Sequence, residues 1–390
     1  MLSSLETGIL ILLKNALNGE KCPLPADFDW IWAYKFGKKH QILPLLYYGG
    51  AHIEEFVNSD IGAKFLMATM ALASFSENQL YELNAVTDAF EKNKIEYLKL
   101  KGSNLKPLYP HAEMRLMSDA DILIREEQMP QIEKIVKELG YTYSATSDHE
   151  WIWEKQELTL ELHKRIIASY QKDFYDYFGN GWQLANKIEG KSEYQMSKED
   201  ELVYLFTHLA KHYRDAGVGI KHFVDIYVFL NANKDIDVEY VENTLKKLNL
   251  YEFFVNVKNT INVWFSDTEW DEISNFITLK VFESGVYGQK LAALRSEALK
   301  ARKSNKKQTK FGKYMGLIFP KYENMCYSFP SLKKVPILLP FYWVYRWLRA
   351  IFCRRDKIKS SKAKIDNVIG TEEINEYQCE LNYVGLDYNF

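Results

Sequence analysis

Hydrophobic and polar positions along the chain follow two different periods, and the change from one to the other marks out its parts. From Leu2 to Leu17 the apolar positions are helical in spacing. DFDWIWAYKF (27–36) has an Asp start and closely spaced aromatics, and HQILPLLYYGG (40–50) is closed by Pro and Gly. Ala63 to Lys92 then runs without Gly or Pro, with Leu72, Phe75, Leu83, Val86 and Phe90 at helical intervals. The pattern predicts a helical scaffold over residues 1–92, in which Trp30, Trp32 and Tyr34 are packing residues and not a base-stacking platform.

Between Ile95 and Ile166 strands alternate with helices. EYLKL reads as a strand, Gly102-Ser103 as a turn, SNLKPLY as a short helix, DADILI as a strand, and 129–140 as a helix stopping at Gly140. WIWEK (151–155) and LTLELH (158–163), separated by Gln156-Glu157, read as a hairpin. Its second strand alternates, with Leu158, Leu160 and Leu162 on one face and Thr159, Glu161 and His163 on the other. From Lys198 to Leu230 the text is helical again, started by Ser197 with Asp200 and Glu201 and broken at Gly217 to Gly219. Residues 231–300 continue mostly as helix and carry no legible chemistry.

The chemistry concentrates in 97–125. Successive side chains of a strand alternate between faces, so Asp119 and Asp121 project the same way. Two like charges on one face repel unless a cation lies between them. Hard divalent cations such as Mg²⁺ take oxygen ligands and bind substrate phosphates, so this pair near a Gly-Ser turn suggests a nucleotide site. Gly102 lets the backbone approach a phosphate closely, Ser103 adds a hydroxyl and Lys101 a point charge. Each piece also has an ordinary meaning, as a turn or a solvated strand edge; their order is what stands out. Glu161, on the neighbouring strand, supplies the third carboxylate that a two-metal site needs, or is simply an exposed glutamate.

In this order, KLKGSNLKPLYP and MRLMSDADILI resemble the DNA polymerase β-like nucleotidyltransferase superfamily, and more narrowly the bacterial uncharacterised nucleotidyltransferase family. DFDW, ILPLLYY and LELHKR extend the likeness over roughly residues 25 to 230. The resemblance implies an α+β fold, with a polymerase β-like core of a small mixed sheet and flanking helices embedded between helical regions. It implies that Asp119 and Asp121 hold two Mg²⁺ ions, with Mn²⁺ as a substitute, and that Glu161 takes the place of the third carboxylate, where superfamily members often have Asp. One ion would bind a nucleoside triphosphate and the other would lower the pKa of the attacking hydroxyl. Lys101, Gly102, Ser103 and Arg115 are the expected nucleotide-binding residues.

Other residues stay open between roles. Arg115 either reaches the triphosphate as a bidentate donor or is a loop arginine. His163 either positions a phosphate or metal-bound water or is satisfied by a neighbour. His208 and His212, four apart on one helical face, suit zinc, second-layer support of the site, or substrate contact together with Asp225; similar His and Asp positions occur in the resembled family.

Composition adds bounds. The 390 residues predict more than one structural unit, with 47% hydrophobic and 26% charged residues and a formal charge of −2 that makes no overall case for nucleic acid. The expected division is 1–92 helical scaffold, 93–190 nucleotidyltransferase core, 191–299 helical domain and 300–390 a basic, aromatic region with an acidic tail. Cysteines at 22, 326, 353 and 379 have neither metal-site spacing nor a disulfide framework, which suits a reducing cytoplasm. Residues 7–17 lack the flanks of a signal peptide, and no run reaches the length of a membrane span.

Basic clusters at 300–313 and 346–364 flank VPILLPFYWVYRWLRAIF. The aromatic stretch suits an interfacial membrane helix or one packed on the scaffold, and the basic segments suit RNA phosphates. The residues after Asp366 are acidic, either a flexible tail or a strap over the basic surface. The expected function is a cytoplasmic, Mg²⁺-dependent enzyme moving a nucleoside monophosphate from an NTP, ATP among them, to an unidentified hydroxyl acceptor. The alternatives are a non-catalytic core that binds nucleotide, nucleic acid or a membrane surface, and a toxin-like enzyme that nucleotidylates tRNA or protein.

Overall fold

The computed structural model describes residues 2–156, 158–266, 268–285, 290–303, 318–322, 325–326, 329–333, 335–353 and 371–388. Residues 304–317 and 354–370, which include the larger part of both basic clusters, lie outside the described residues. The molecule is α+β, as the resemblance implies, with one mixed sheet among many helices.

The amino-terminal helices form where their caps and apolar stripes direct. Helix α1 (Ser4–Asn18) begins at a capping box in which Ser3 and Glu6 satisfy each other's backbone groups. In α2 (Trp30–His40) the Asp29 carboxylate accepts the Ile31 and Trp32 N–H groups at 2.7 and 3.0 Å. The next helices are α3 (Leu43–Gly50), α4 (Glu54–Val57) and the 33-residue α5 (Asp60–Lys92), capped by Ser59. Helices α1 and α3 approach closely at Gly49, where a Cβ would stand 2.0 Å from the Leu12 carbonyl oxygen. Trp30 stacks on Phe56 at 3.7 Å and Trp32 on Phe36 at 4.8 Å, so these aromatics pack the scaffold.

The sheet has seven strands in the order β3-β4-β5-β2-β1-β7-β6. They are β1 (Tyr97–Lys99), β2 (Ala120–Ile124), β3 (Thr142–Thr146), β4 (Glu150–Glu154), β5 (Thr159–His163), β6 (Ala185–Lys187) and β7 (Glu193–Met196). Strand β2 is central and wholly buried, antiparallel to β1 and parallel to β5. The short helix α6 (Gly102–Leu105) connects β1 towards β2, and α7 (Met129–Glu138) follows β2. Leu83, Val86 and Phe90 of α5 join Ile132 and Val136 of α7 to cover one face, over Ile122, Ile124, Leu160 and Leu162. This burial is the main stabilising term for the sheet, because each fully buried aliphatic side chain contributes about 1.5–3 kcal/mol.

The other face and the ends of the sheet meet a larger core. Helices α8 (Lys172–Phe178), α9 (Lys198–Asp215), α10 (Ile220–Ala232), α11 (Val238–Lys247), α12 (Tyr251–Phe265) and α13 (Glu272–Ser284) follow in order. Their apolar faces and those of α1 to α3 belong to one continuous buried cluster that also takes in Leu98, Leu100 and Leu123 of the sheet. His40 shows the joint between early and late helices: its Nε2 donates to the Phe282 carbonyl at 3.1 Å and its ring stacks on Phe36.

Beyond α14 (Lys290–Lys303), helix α15 (Leu339–Cys353) divides its aromatics. Trp343 and Trp347 lie edge-on to Phe319 and donate to the carbonyls of Pro320 and Ile318, whereas Phe341, Val344, Tyr345 and Leu348 are exposed. No helix among the described residues is long and apolar enough to cross a membrane. The acidic segment is a strap: α16 (Thr371–Tyr383) and the turn after it bury Tyr377, Leu381, Val384, Leu386 and Tyr388. The strap closes on the end of α9. Tyr377 and Tyr388 hydroxyls both donate to the Arg214 carbonyl, and the buried Arg214 guanidinium bonds Asp173 and the Asp387 carbonyl.

Candidate functional site

The floor of the site is built by the parallel pairing of β2 and β5, which sets Asp121 directly opposite Glu161. Asp119, two residues earlier, lines the same cavity, of about 390 Å³. The apolar partners of these acids face the α5–α7 side, so the sheet's alternation leaves the polar atoms to the cavity. Asp121 Oδ1 accepts from Lys101 Nζ and from His163 Nε2, each at 2.8 Å. His163 Nε2 also stands 3.7 Å from Glu161 Oε2.

The charges follow from that geometry. Burial alone would protonate Asp121, but Lys101 and the hydrogen-bonded His163 outweigh it and hold the carboxyl well below its usual range. Burial pulls Lys101 down, yet the Asp121 carboxylate keeps the ammonium above its ordinary value. For His163 burial is likewise overcome by the hydrogen bond to Asp121 and the nearby Glu161 carboxylate, which raise it to about 9. For Asp119 the balance is reversed: burial first, then Asp121 and Glu161, push it up to about 6 against the opposing charges of Lys101 and Lys221.

The turn before the floor is strained. Lys101 has φ 46° and ψ −113°, in the region that favours glycine, and the strain turns β1 into α6. At Gly102 a Cβ would come within 3.3 Å of Met117 and 3.5 Å of Arg115 Nη1. Ser103 Oγ is buried with no hydrogen-bond partner. Arg115 is less available than the sequence suggests. Its Nε donates to Asp225 at 2.6 Å and its Nη1 to the Leu116 carbonyl at 2.7 Å, so it borders the cavity with its fork engaged. Asp225, which also accepts from the Tyr109 hydroxyl at 2.7 Å, therefore anchors Arg115.

The roof comes from α9 and α10. His208, Lys211 and His212 of the first and Lys221 and His222 of the second line the cavity opposite the acids. The rings of His208 and His212 are 4.3 Å apart, and those of His212 and His222 5.9 Å. Burial lowers all five, helped by neighbouring cations and, at His222, opposed by Asp225: Lys221 to about 7, His222 to about 4, His212 to about 2, and Lys211 and His208 below their ordinary values. Crowded basic groups without a matching anion are what a phosphate chain would relieve.

Among the described residues, two trios bring metal-binding atoms within 4.8 Å of one another: Asp121, Glu161 and His163, and His149, Glu150 and His163. His208 and His212 belong to neither, so the zinc alternative has no third ligand there. Sequence reasoning missed Glu150 and His149. The hairpin register places Glu150 opposite His163, and one more residue on the WIWEK strand would have revealed it. It also missed Lys211, Lys221 and His222, whose signal was basic residues interleaved with the histidines. Asp119 belongs to neither trio; the Asp121 and Glu161 carboxylates are hard oxygen donors of the kind a divalent cation takes.

A family model described as an uncharacterised nucleotidyltransferase matches residues 26–266. No curated protein matches the chain. Among solved structures the chain is similar to the solution structure of the antibiotic-resistance factor ANT(2'')-Ia, at 14% identity and a TM-score of 0.34, over 48% of this chain and 97% of that one.

Proposed function

Because this chain belongs to the uncharacterised nucleotidyltransferase family, we propose that it transfers a nucleoside monophosphate from an NTP to a hydroxyl acceptor and releases pyrophosphate. The observation that carries the proposal is an acidic floor of Asp119, Asp121 and Glu161 facing a basic roof across one cavity. Such a cavity suits a cation on one side and phosphates on the other.

Asp119, Asp121 and Glu161 would hold Mg²⁺, which when bound supplies charge neutralisation at the phosphates and a more acidic acceptor hydroxyl. The roof residues Lys211, Lys221 and His212 bind the triphosphate oxygens, and the entering negative charge favours the protonated forms of Lys221 and His212. The acceptor oxygen attacks the α-phosphorus, the bond to the bridging oxygen breaks, and pyrophosphate leaves. Glu161, partly exposed, takes the hydroxyl proton and passes it to solvent. Lys101, paired with Asp121 at 2.8 Å, would be free to bind the phosphates once a cation is held there.

Asp119→Asn should abolish transfer of label from α-labelled NTP in an otherwise folded protein. Full activity in that variant would refute the assignment. One observation favours a second reading. Lys101 and His163 already neutralise Asp121, so the core would bind nucleotide without transferring it. Mg²⁺-dependent NTP binding with no transfer to any acceptor pool would select that reading.

A further inference from the structure

A transfer reaction needs two substrates meeting at one phosphorus, and the cavity described above has a neighbour. A second cavity, of about 640 Å³, lies between α2, α3 and α5 on one side and the approach to β2 and the β4–β5 turn on the other. Met117 and Ser118 line both. Gln41 of the second cavity accepts from Lys221 of the first at 3.4 Å, and Gln79 fixes the dividing wall by donating to the Met117 carbonyl at 3.2 Å. The two spaces therefore share a wall beside Asp119.

Their chemistry is opposite. The second is walled by Tyr34, Leu43, Ala68, Leu72 and Phe75, and no carboxylate among the described residues lines it. Its lysines are engaged: Lys155 pairs with Glu82 at 2.7 Å and Lys38 lies over the Tyr34 ring. A triphosphate gains little there, whereas apolar surface gains by leaving water. The apolar lining also continues outward along α5 from Ala71 to the exposed Met67, four residues before it. From Phe75 to Met67 the helix rises about 12 Å, and a methionine adapts to a flexible ligand.

We propose that this second cavity is the acceptor site, and that the acceptor is a hydroxyl compound with a long aliphatic body. The hydroxyl reaches past Ser118 towards Asp119, and the chain lies along Ala68, Leu72 and Phe75 towards Met67. This rests on the nucleotidyl-transfer proposal above, so its test reads the two halves separately.

The full chain is titrated calorimetrically with glucose and with butyl, hexyl and octyl glucoside below their micellar concentrations, without and with Mg²⁺–ATP. Affinity should rise about fourfold per methylene, or about 15-fold per two-carbon step, and Mg²⁺–ATP should leave it unchanged. Ala71→Trp, at an exposed position on the cavity wall, and Phe75→Glu should each remove the chain-length dependence while Mg²⁺–ATP binding stays within about twofold of the wild type. Chain-length dependence absent from the wild type, or retained in both variants, overturns the proposal. Competition between octyl glucoside and ATP also overturns it, because the cavity would then belong to the nucleotide. Failure of the wild type to bind Mg²⁺–ATP would count against the function proposed above and not against the apolar site.

Discussion

Asp225→Asn tests the anchor beneath Arg115. Both side chains are under a tenth exposed, and the Nε to Oδ1 contact is 2.6 Å. Asparagine keeps an oxygen for the Tyr109 hydroxyl and for Arg115, so the change removes charge and little else. A buried guanidinium without its counter-ion costs about 3–5 kcal/mol, a large part of a net stability of about 5–15 kcal/mol. With an m-value of about 3 kcal/mol/M, the urea midpoint should fall by about 1 M. Arg115→Met should cost a similar amount. The double variant should cost about 2–3 kcal/mol less than the two singles together, since the second change removes the charge that the first left stranded. The assay is urea unfolding followed by tryptophan fluorescence and circular dichroism on all four proteins. A single-variant loss under about 1 kcal/mol, or costs that add to within about 0.5 kcal/mol, would refute the reasoning and return Arg115 to the phosphates.

Two further expectations concern stability. His40 is fully buried and neutral; burial, then Lys39, lower it to about 4 although the Phe282 bond opposes them. Ile220 N–H points at Nδ1 at 3.5 Å, so protonation there sets donor against donor. The unfolded chain binds this proton first, so stability is intact above about pH 6.5, falls between 6.5 and 4 by up to about 3 kcal/mol, and levels off below; His40→Gln should flatten that limb in urea midpoints measured against pH. Gly49→Ala drives a methyl into the Leu12 carbonyl between α1 and α3. It should cost about 1–3 kcal/mol, visible as a lowered thermal midpoint, and an unchanged midpoint would mean that the helices part freely.

The candidate site was legible where its information is local. Gly102-Ser103, the Asp119 and Asp121 pair and the alternation of LTLELH are short-range patterns, and the pairing of β2 with β5, whose parallel register only the structure gives, sets the strands side by side. Glu150 was missed because a hairpin boundary is ambiguous by a residue, and one residue decides which side chain faces His163. Strands β3, β6 and β7 escaped because they are short and polar with little apolar alternation, β3 and β6 at the two edges and β7 just inside β6. The Arg115 partner was unreadable for a different reason: it lies 110 positions away. The apolar cavity belongs to no segment at all, arising only when α2, α3 and α5 pack against the sheet.

The strap over α9 also has a consequence in time. The Arg214 side chain bonds the carbonyl of Asp387, 173 positions later. At a synthesis rate of about 5–20 residues per second, the helix that carries His208, Lys211 and His212 waits about 10–35 s for the residues that pin its end. During that interval the acidic floor can already be formed while the basic roof is still loosely held. On the ribosome, the pinning of the basic roof would thus come late, as a maturation step after the sheet has been made.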